Sequence, residues 1–183
     1  STNIIRMKGQ KMDGSIQVYY GNGRGKTTAA LGLGIRAAGV GKQVIMVQFL
    51  KKKHSDTLDF LKKLEPELQI FRFEKAACGY SDLSPKEKQE QMLNIKNALG
   101  YSRKVLDTGQ CDLLILDEIF GLVDYNIITI EELMDLIAVK KDSMDLILTG
   151  RNLPDEVREI ADCVYSIQRE KEKTPEILAQ GNF

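Results

Sequence analysis

From Ile16 onward the chain alternates short apolar, β-branched runs with longer helix-forming stretches, and that alternation predicts a parallel sheet covered by helices. Ile16-Gln17-Val18-Tyr19-Tyr20 reads as a first strand, and a helix opens at Thr27-Thr28-Ala29-Ala30-Leu31. After a turn at Gly39-Val40-Gly41, a second strand is expected over Gln43 to Phe49, a helix over Asp56 to Leu64 and a third strand over Leu68 to Phe73. Ser84-Pro85-Lys86-Glu87 combines an N-cap serine, a proline in the first turn and a capping-box glutamate, so a long helix to about Asp107 should follow. Strands at Leu113 to Asp117 and Leu146 to Thr149 flank a helix that begins near a second capping box, Thr129-Ile130-Glu131-Glu132. Pro154 to Ala161 predicts a last helix and the residues around Val164 a final strand.

Between the first strand and its helix lies Gly21-Asn22-Gly23-Arg24-Gly25-Lys26-Thr27-Thr28. Strand, glycine loop and helix N-terminus in that order bring loop amides and the positive end of the helix dipole to one point, an arrangement suited to phosphate oxygens. Gly25-Lys26-Thr27 supplies the second half of the phosphate-loop consensus, with Lys26 for phosphate and the Thr27 hydroxyl for magnesium. The first half departs from it: the consensus glycine falls at Tyr20, and Gly21 comes one position later. Alternating Gly21, Gly23 and Gly25 still allow positive φ and close approach to phosphate. The expectation is nucleotide binding through a loop whose opening differs in shape.

A second motif, Asp112-Leu113-Leu114-Ile115-Leu116-Asp117-Glu118, is an apolar strand ending in two carboxylates. Parallel strands present ligand-binding residues at their carboxyl ends, which should place Asp117 and Glu118 beside the loop. Asp117 would hold magnesium directly or through water together with Thr27. Glu118 is either a second carboxylate for the metal or a base that activates water.

Composition narrows the class. The chain has 183 residues, 26 basic and 26 acidic, which suits one α/β domain without an electrostatic signature for nucleic acid or membrane. Residues 1–14 read as an arm and 15–183 as the nucleotide-binding domain. Lys51-Lys52-Lys53-His54 is the one local basic cluster, read as a solvated loop or as a face toward an anionic ligand. Cys78, Cys111 and Cys163 are odd in number and widely spaced, which argues against a disulfide scaffold or zinc site and for a reducing, cytoplasmic setting. Cys163, in the run Cys163-Val164-Tyr165-Ser166-Ile167, is expected in the core. With His54 as the only histidine, chemistry that needs a histidine pair is excluded.

The loop lacking its first glycine, Val47-Gln48-Phe49 followed by Lys51, Ile115-Leu116-Asp117-Glu118, Glu131-Glu132, Leu148-Thr149-Gly150-Arg151 and Ala161-Asp162 together resemble the phosphate-loop ATP:corrinoid adenosyltransferases. The resemblance implies a RecA-like phosphate-loop NTPase fold. The implied reaction transfers the 5′-deoxyadenosyl group of ATP to Co(I) of a corrinoid, with release of triphosphate. It makes Lys26, Glu118 and Arg151 catalytic, and Thr27, Asp117 and Glu118 magnesium-binding. Gly21, Asn22, Gly23, Arg24, Gly25, Lys26, Thr27, Thr28, Gln48, Gly79 and Tyr80 become substrate-binding. It further implies a nucleotide reversed relative to ordinary phosphate-loop ATPases, a homodimer and a flavoprotein reductant. The chain departs from the family pattern at Ala77-Cys78-Gly79-Tyr80-Ser81-Asp82, where Asp82 stands in place of a tryptophan expected against the corrinoid. An acidic side chain offers no apolar plane, so that pocket is built differently or lost. The segment Arg169-Glu170-Lys171-Glu172-Lys173-Thr174-Pro175 likewise replaces a basic and aromatic ending, and only Ala179-Gln180-Gly181 matches it. Two other readings stay open: a phosphate-loop ATPase or kinase-like enzyme with another acceptor, and a non-catalytic nucleotide or corrinoid binder.

Overall fold

A computed structural model of the chain describes residues 13–52, 60–75 and 83–172. Six strands, β1 (Ile16–Tyr20), β2 (Val44–Lys52), β3 (Leu68–Lys75), β4 (Leu113–Asp117), β5 (Asp145–Gly150) and β6 (Cys163–Ser166), form one sheet in the order β3-β2-β4-β5-β1-β6. All neighbouring pairs run parallel, as the strand-helix alternation requires. The phosphate-loop strand β1 and the carboxylate strand β4 are therefore not adjacent, because β5 lies between them.

The helices that lie wholly within the described residues are α1 (Lys26–Gly39), α2 (Pro85–Thr108), α3 (Ile119–Asp124), α4 (Ile130–Ala138) and α5 (Asp155–Ile160). They load the two faces of the sheet unequally. The larger apolar cluster joins Ile45, Val47, Leu114, Leu116 and Leu148 to side chains of α2, α3, α4 and α5, among them Leu106, Phe120, Leu133 and Val157. The smaller cluster packs Val44, Met46, Leu68, Ile115 and Ile147 against Ala30, Leu31, Leu33, Ala37 and Ala38 of α1. Helix α1 comes close to the sheet: a Cβ on Gly34 would lie 3.1 Å from Ile115 Cδ1. Strand β4, covered on both faces, is buried throughout and correspondingly apolar.

Both predicted capping boxes are present, Ser84 with Glu87 and Thr129 with Glu132. One helix has no counterpart in the sequence reading. Four of the six residues of α3, Ile119 to Leu122, are buried, so the segment shows no polar face from which helical periodicity could be read. The helix expected over Asp56 to Leu64 falls partly outside the described residues, and a short 3-10 turn occupies Lys62–Leu64. Cys163 corrects an expectation: it is exposed, because β6 is an edge strand that the described helices leave largely uncovered. Cys111 takes the core position instead, and burial pushes its thiol up to about 12, which makes it inert at neutral pH. No described helix is long and apolar enough to cross a membrane.

Candidate active site

The loop between β1 and α1 is shaped by its glycines. Gly21 has φ 126° and its N–H donates to the carbonyls of Gly150 and Arg151 at 3.2 and 3.1 Å, so it ties the loop to the end of β5. A Cβ there would meet the Ile167 carbonyl at 2.2 Å. The Gly23 N–H donates to that same carbonyl at 2.9 Å, and the Asn22 side chain accepts from the Arg169 N–H at 3.1 Å. Two of the loop amides expected to face phosphate are thus committed to the scaffold. Among the described residues no intramolecular acceptor takes the amides of Asn22, Arg24 or Gly25. Asn22, Arg24, Gly25 and Thr28 are exposed to solvent.

Tyr20, at the position of the absent consensus glycine, turns toward α5. Its phenol accepts from Arg158 Nη2 at 3.3 Å, and the guanidinium lies 5.3 Å from the ring centre. That bond holds the phenol below its ordinary pKa.

Lys26 starts α1 and folds its ammonium into the loop, where it donates to the carbonyls of Gly21 and Gly23 at 2.7 and 2.9 Å. Thr27 Oγ1 lies 3.0 Å from each oxygen of Asp117. This is the juxtaposition of the two motifs that the strand ends predict. Asp117 is fully buried, and its carboxylate also accepts from Thr149 Oγ1 at 2.6 Å and Gln48 Nε2 at 3.2 Å. Burial of such a polar group is offset by these several hydrogen bonds.

Thr149 was legible only as part of a motif, and the structure gives it a function. Its hydroxyl donates to Asp117 while accepting the backbone N–H of Glu118 at 2.9 Å, so it fixes both carboxylate-bearing residues. Gly150 is required by packing, since a Cβ would lie 2.4 Å from Phe120 Cβ. Glu118 adopts φ 61°, a left-handed conformation that costs a residue with a side chain on the order of 1 kcal/mol or more, and caps no helix amide with its side chain. The turn directs Glu118 into a cleft of about 460 Å³ lined by Gly21, Asn22, Lys26, Asp124, Arg151 and Arg169, among others. Lys26, Glu118 and Arg151, the expected catalytic residues, therefore share one cavity.

Thr27 and the carboxylates are hard oxygen donors suited to magnesium. Thr27 Oγ1 donates to Asp117, and this set of hard oxygens fits the ion in its chemistry. Gln48, expected to touch substrate, bonds Asp117 and accepts from Arg72. Arg72 has no counterpart in the sequence reading; the available signal was a charged residue interrupting the apolar strand β3. Gly79, Tyr80 and Asp82 lie outside the described residues, as do residues 173–183 and the side chains of Lys51 and Lys52.

Residues 12–180 match the model of a family described as ATP:corrinoid adenosyltransferase BtuR/CobO/CobP. A corrinoid adenosyltransferase of Escherichia coli (strain K12) is 30% identical over 155 residues, covering 85% of this chain and 76% of that protein. The corrinoid adenosyltransferase CobA of Salmonella typhimurium is 30% identical over 159 residues, covering 87% and 79%. A KaiC-like protein from the hyperthermophilic archaeon Pyrococcus horikoshii superposes with a TM-score of 0.55 at 19% identity, over 88% of this chain and 75% of that one, a likeness of fold.

Proposed function

The chain belongs to the ATP:corrinoid adenosyltransferase family, a group of transferases, and from that premise we propose how its own residues carry the reaction. Cobalt(I) of the corrinoid attacks carbon 5′ of ATP; the cobalt–carbon bond forms as the carbon–oxygen bond breaks, and triphosphate leaves with the electron pair. Because the nucleophile arrives already reduced, the protein activates none. Its work is to align carbon 5′ and to receive charge on the leaving group.

The observation that carries this reading is one cavity in which Lys26, Glu118 and Arg151 meet, with the Thr27–Asp117 pair beneath the same loop. Lys26 and the amides of Asn22, Arg24 and Gly25 bind triphosphate oxygens, supported by the dipole of α1. Arg151 adds a planar charged donor from the end of β5. Thr27 and Glu118, with Asp117 behind them, would hold a magnesium ion, which would supply further positive charge to the leaving group. Glu118 acts here as a metal ligand, because activating water would waste ATP. Family likeness supports a contact of Gly79 and Tyr80 with the corrinoid. The same likeness supports a cytoplasmic homodimer, with a flavoprotein as the reductant of the corrinoid.

The test supplies ATP, magnesium and chemically reduced cobalamin or cobinamide, and identifies both products. Triphosphate with an adenosylated corrinoid is expected. Diphosphate or orthophosphate without a cobalt–carbon bond would overturn the reading. Light scattering of the purified protein checks the dimer, which a monomer mass would exclude.

A further inference from the structure

The three strands on the β3 side of the sheet each place one polar residue at the same level. Gln48 on β2 is the direct register partner of Arg72 on β3 and of Asp117 on β4. Arg72 donates from Nε and Nη2 to Gln48 Oε1 at 3.2 and 3.1 Å, and Gln48 Nε2 donates to Asp117 Oδ2 at 3.2 Å. Gln48 is only 5% exposed and Asp117 is fully buried.

The chemistry of this row leaves little freedom. A guanidinium has donors only and an ionised carboxylate acceptors only, so the residue between them must accept on one side and donate on the other. An amide does both. Reversing the Gln48 amide would set its NH2 against Arg72 and its oxygen against Asp117, two repulsive contacts in a buried place. The Arg72 fork therefore locks the amide, and the locked amide fixes Oδ2 of Asp117 while Thr149 fixes Oδ1. With its carboxylate held from both sides, Asp117 fixes the direction in which the Thr27 hydroxyl donates.

We propose that Arg72 is a positioning residue for the nucleotide-metal site, acting on Asp117 through Gln48 and never touching the ligand itself. The proposal rests on the magnesium reading given above. Residues that orient metal-binding groups from behind cost about 10- to 100-fold in metal affinity when removed. Residues acting in series give non-additive losses.

The experiment titrates Mn2+ into the protein with ATP and no corrinoid, following free Mn2+ by electron paramagnetic resonance, with thermal melting of each variant as a fold control. Arg72→Ala and Gln48→Ala are each expected to weaken Mn2+ binding about 10-fold or more. The double variant should be no weaker than the weaker single one. Arg72→Lys retains charge and one donor without the fork and should bind between the alanine variant and the parent; Arg72→Met takes the place of alanine in the cycle if the alanine protein does not fold. Unaltered Mn2+ binding in Arg72→Ala, losses that multiply in the double variant, or a lysine variant as weak as alanine each overturn the relay. A parent protein that binds no Mn2+ with ATP overturns the site reading along with it, whereas a parent that binds and an alanine variant that matches it overturns the relay alone.

Discussion

Helices α2 and α4 begin differently from helix α1, and the difference marks where ligand belongs. Ser84 and Thr129 accept from the N–H of Glu87 and Glu132, whose carboxylates return to the cap N–H at 2.8 Å in each case. These helices satisfy their own first amides and neutralise their own dipoles. Helix α1 starts from Gly25 with no side-chain cap and no acid in its first turn, and it carries Lys26 there instead. Left alone, such a start is electrostatically unfavourable. It becomes favourable when an anion supplies the charge that Glu87, Glu131 and Glu132 supply elsewhere.

The comparison breaks most sharply at Lys26. Lys26→Ala removes the ammonium at the uncapped start, and turnover is expected to fall by about 100-fold or more. Steady-state adenosylation with matched ATP titrations measures it. If the rate is retained, α1 is no more a binding terminus than α2. Gly25→Ala comes next. Gly25 has φ 107° and nothing within 4 Å of an added Cβ, so the cost is conformational alone, about 1–3 kcal/mol. Denaturant unfolding should show that loss, and calorimetry should show weaker ATP binding as the loop shifts. A variant as stable as the parent would mean that the left-handed turn is not needed.

The difference between helix starts also explains what could be read in advance. Capping boxes and the glycine loop are local: a few consecutive residues carry the whole signal, so α2, α4 and the cradle were legible. Asp117 was legible as a strand-end acid, and strand geometry brought it to Thr27. Its supporting residues were not, because Gln48, Arg72 and Thr149 become neighbours only through the sheet order β3-β2-β4-β5. The signal each left was a polar side chain near the carboxyl end of an apolar strand. Helix α3 was missed for the opposite reason, having too little polarity to show a period. Cys163 was misplaced because alternation alone does not distinguish an edge strand from a central one.

Glu118 separates strain from chemistry at α3. Its left-handed backbone is tolerated by glycine, so Glu118→Gly should be more stable than the parent by up to about 1 kcal/mol while losing the carboxylate in the cleft. Chemical denaturation and a magnesium titration of activity are the paired measurements. Higher stability with weaker magnesium dependence would show conformational strain maintained for function. An unchanged magnesium response would remove Glu118 from the metal site.

The smallest effect belongs to a helix start far from the chemistry. Ser84, first through its side chain and then through its backbone N–H, holds the Glu87 carboxyl below its ordinary range. A carboxyl depressed in the folded state adds stability above its unfolded pKa and loses that contribution as pH falls through the folded value. Ser84→Ala should therefore lower the melting temperature by about 2–4 °C near neutral pH. The gap between parent and variant should narrow as the solution is acidified below the carboxylate range. ATP affinity should be the same in both proteins at neutral pH, because this helix satisfies its own amides. A Ser84→Ala protein that lost ATP binding without losing stability would erase the distinction between the self-capped helices α2 and α4 and helix α1, left open for phosphate.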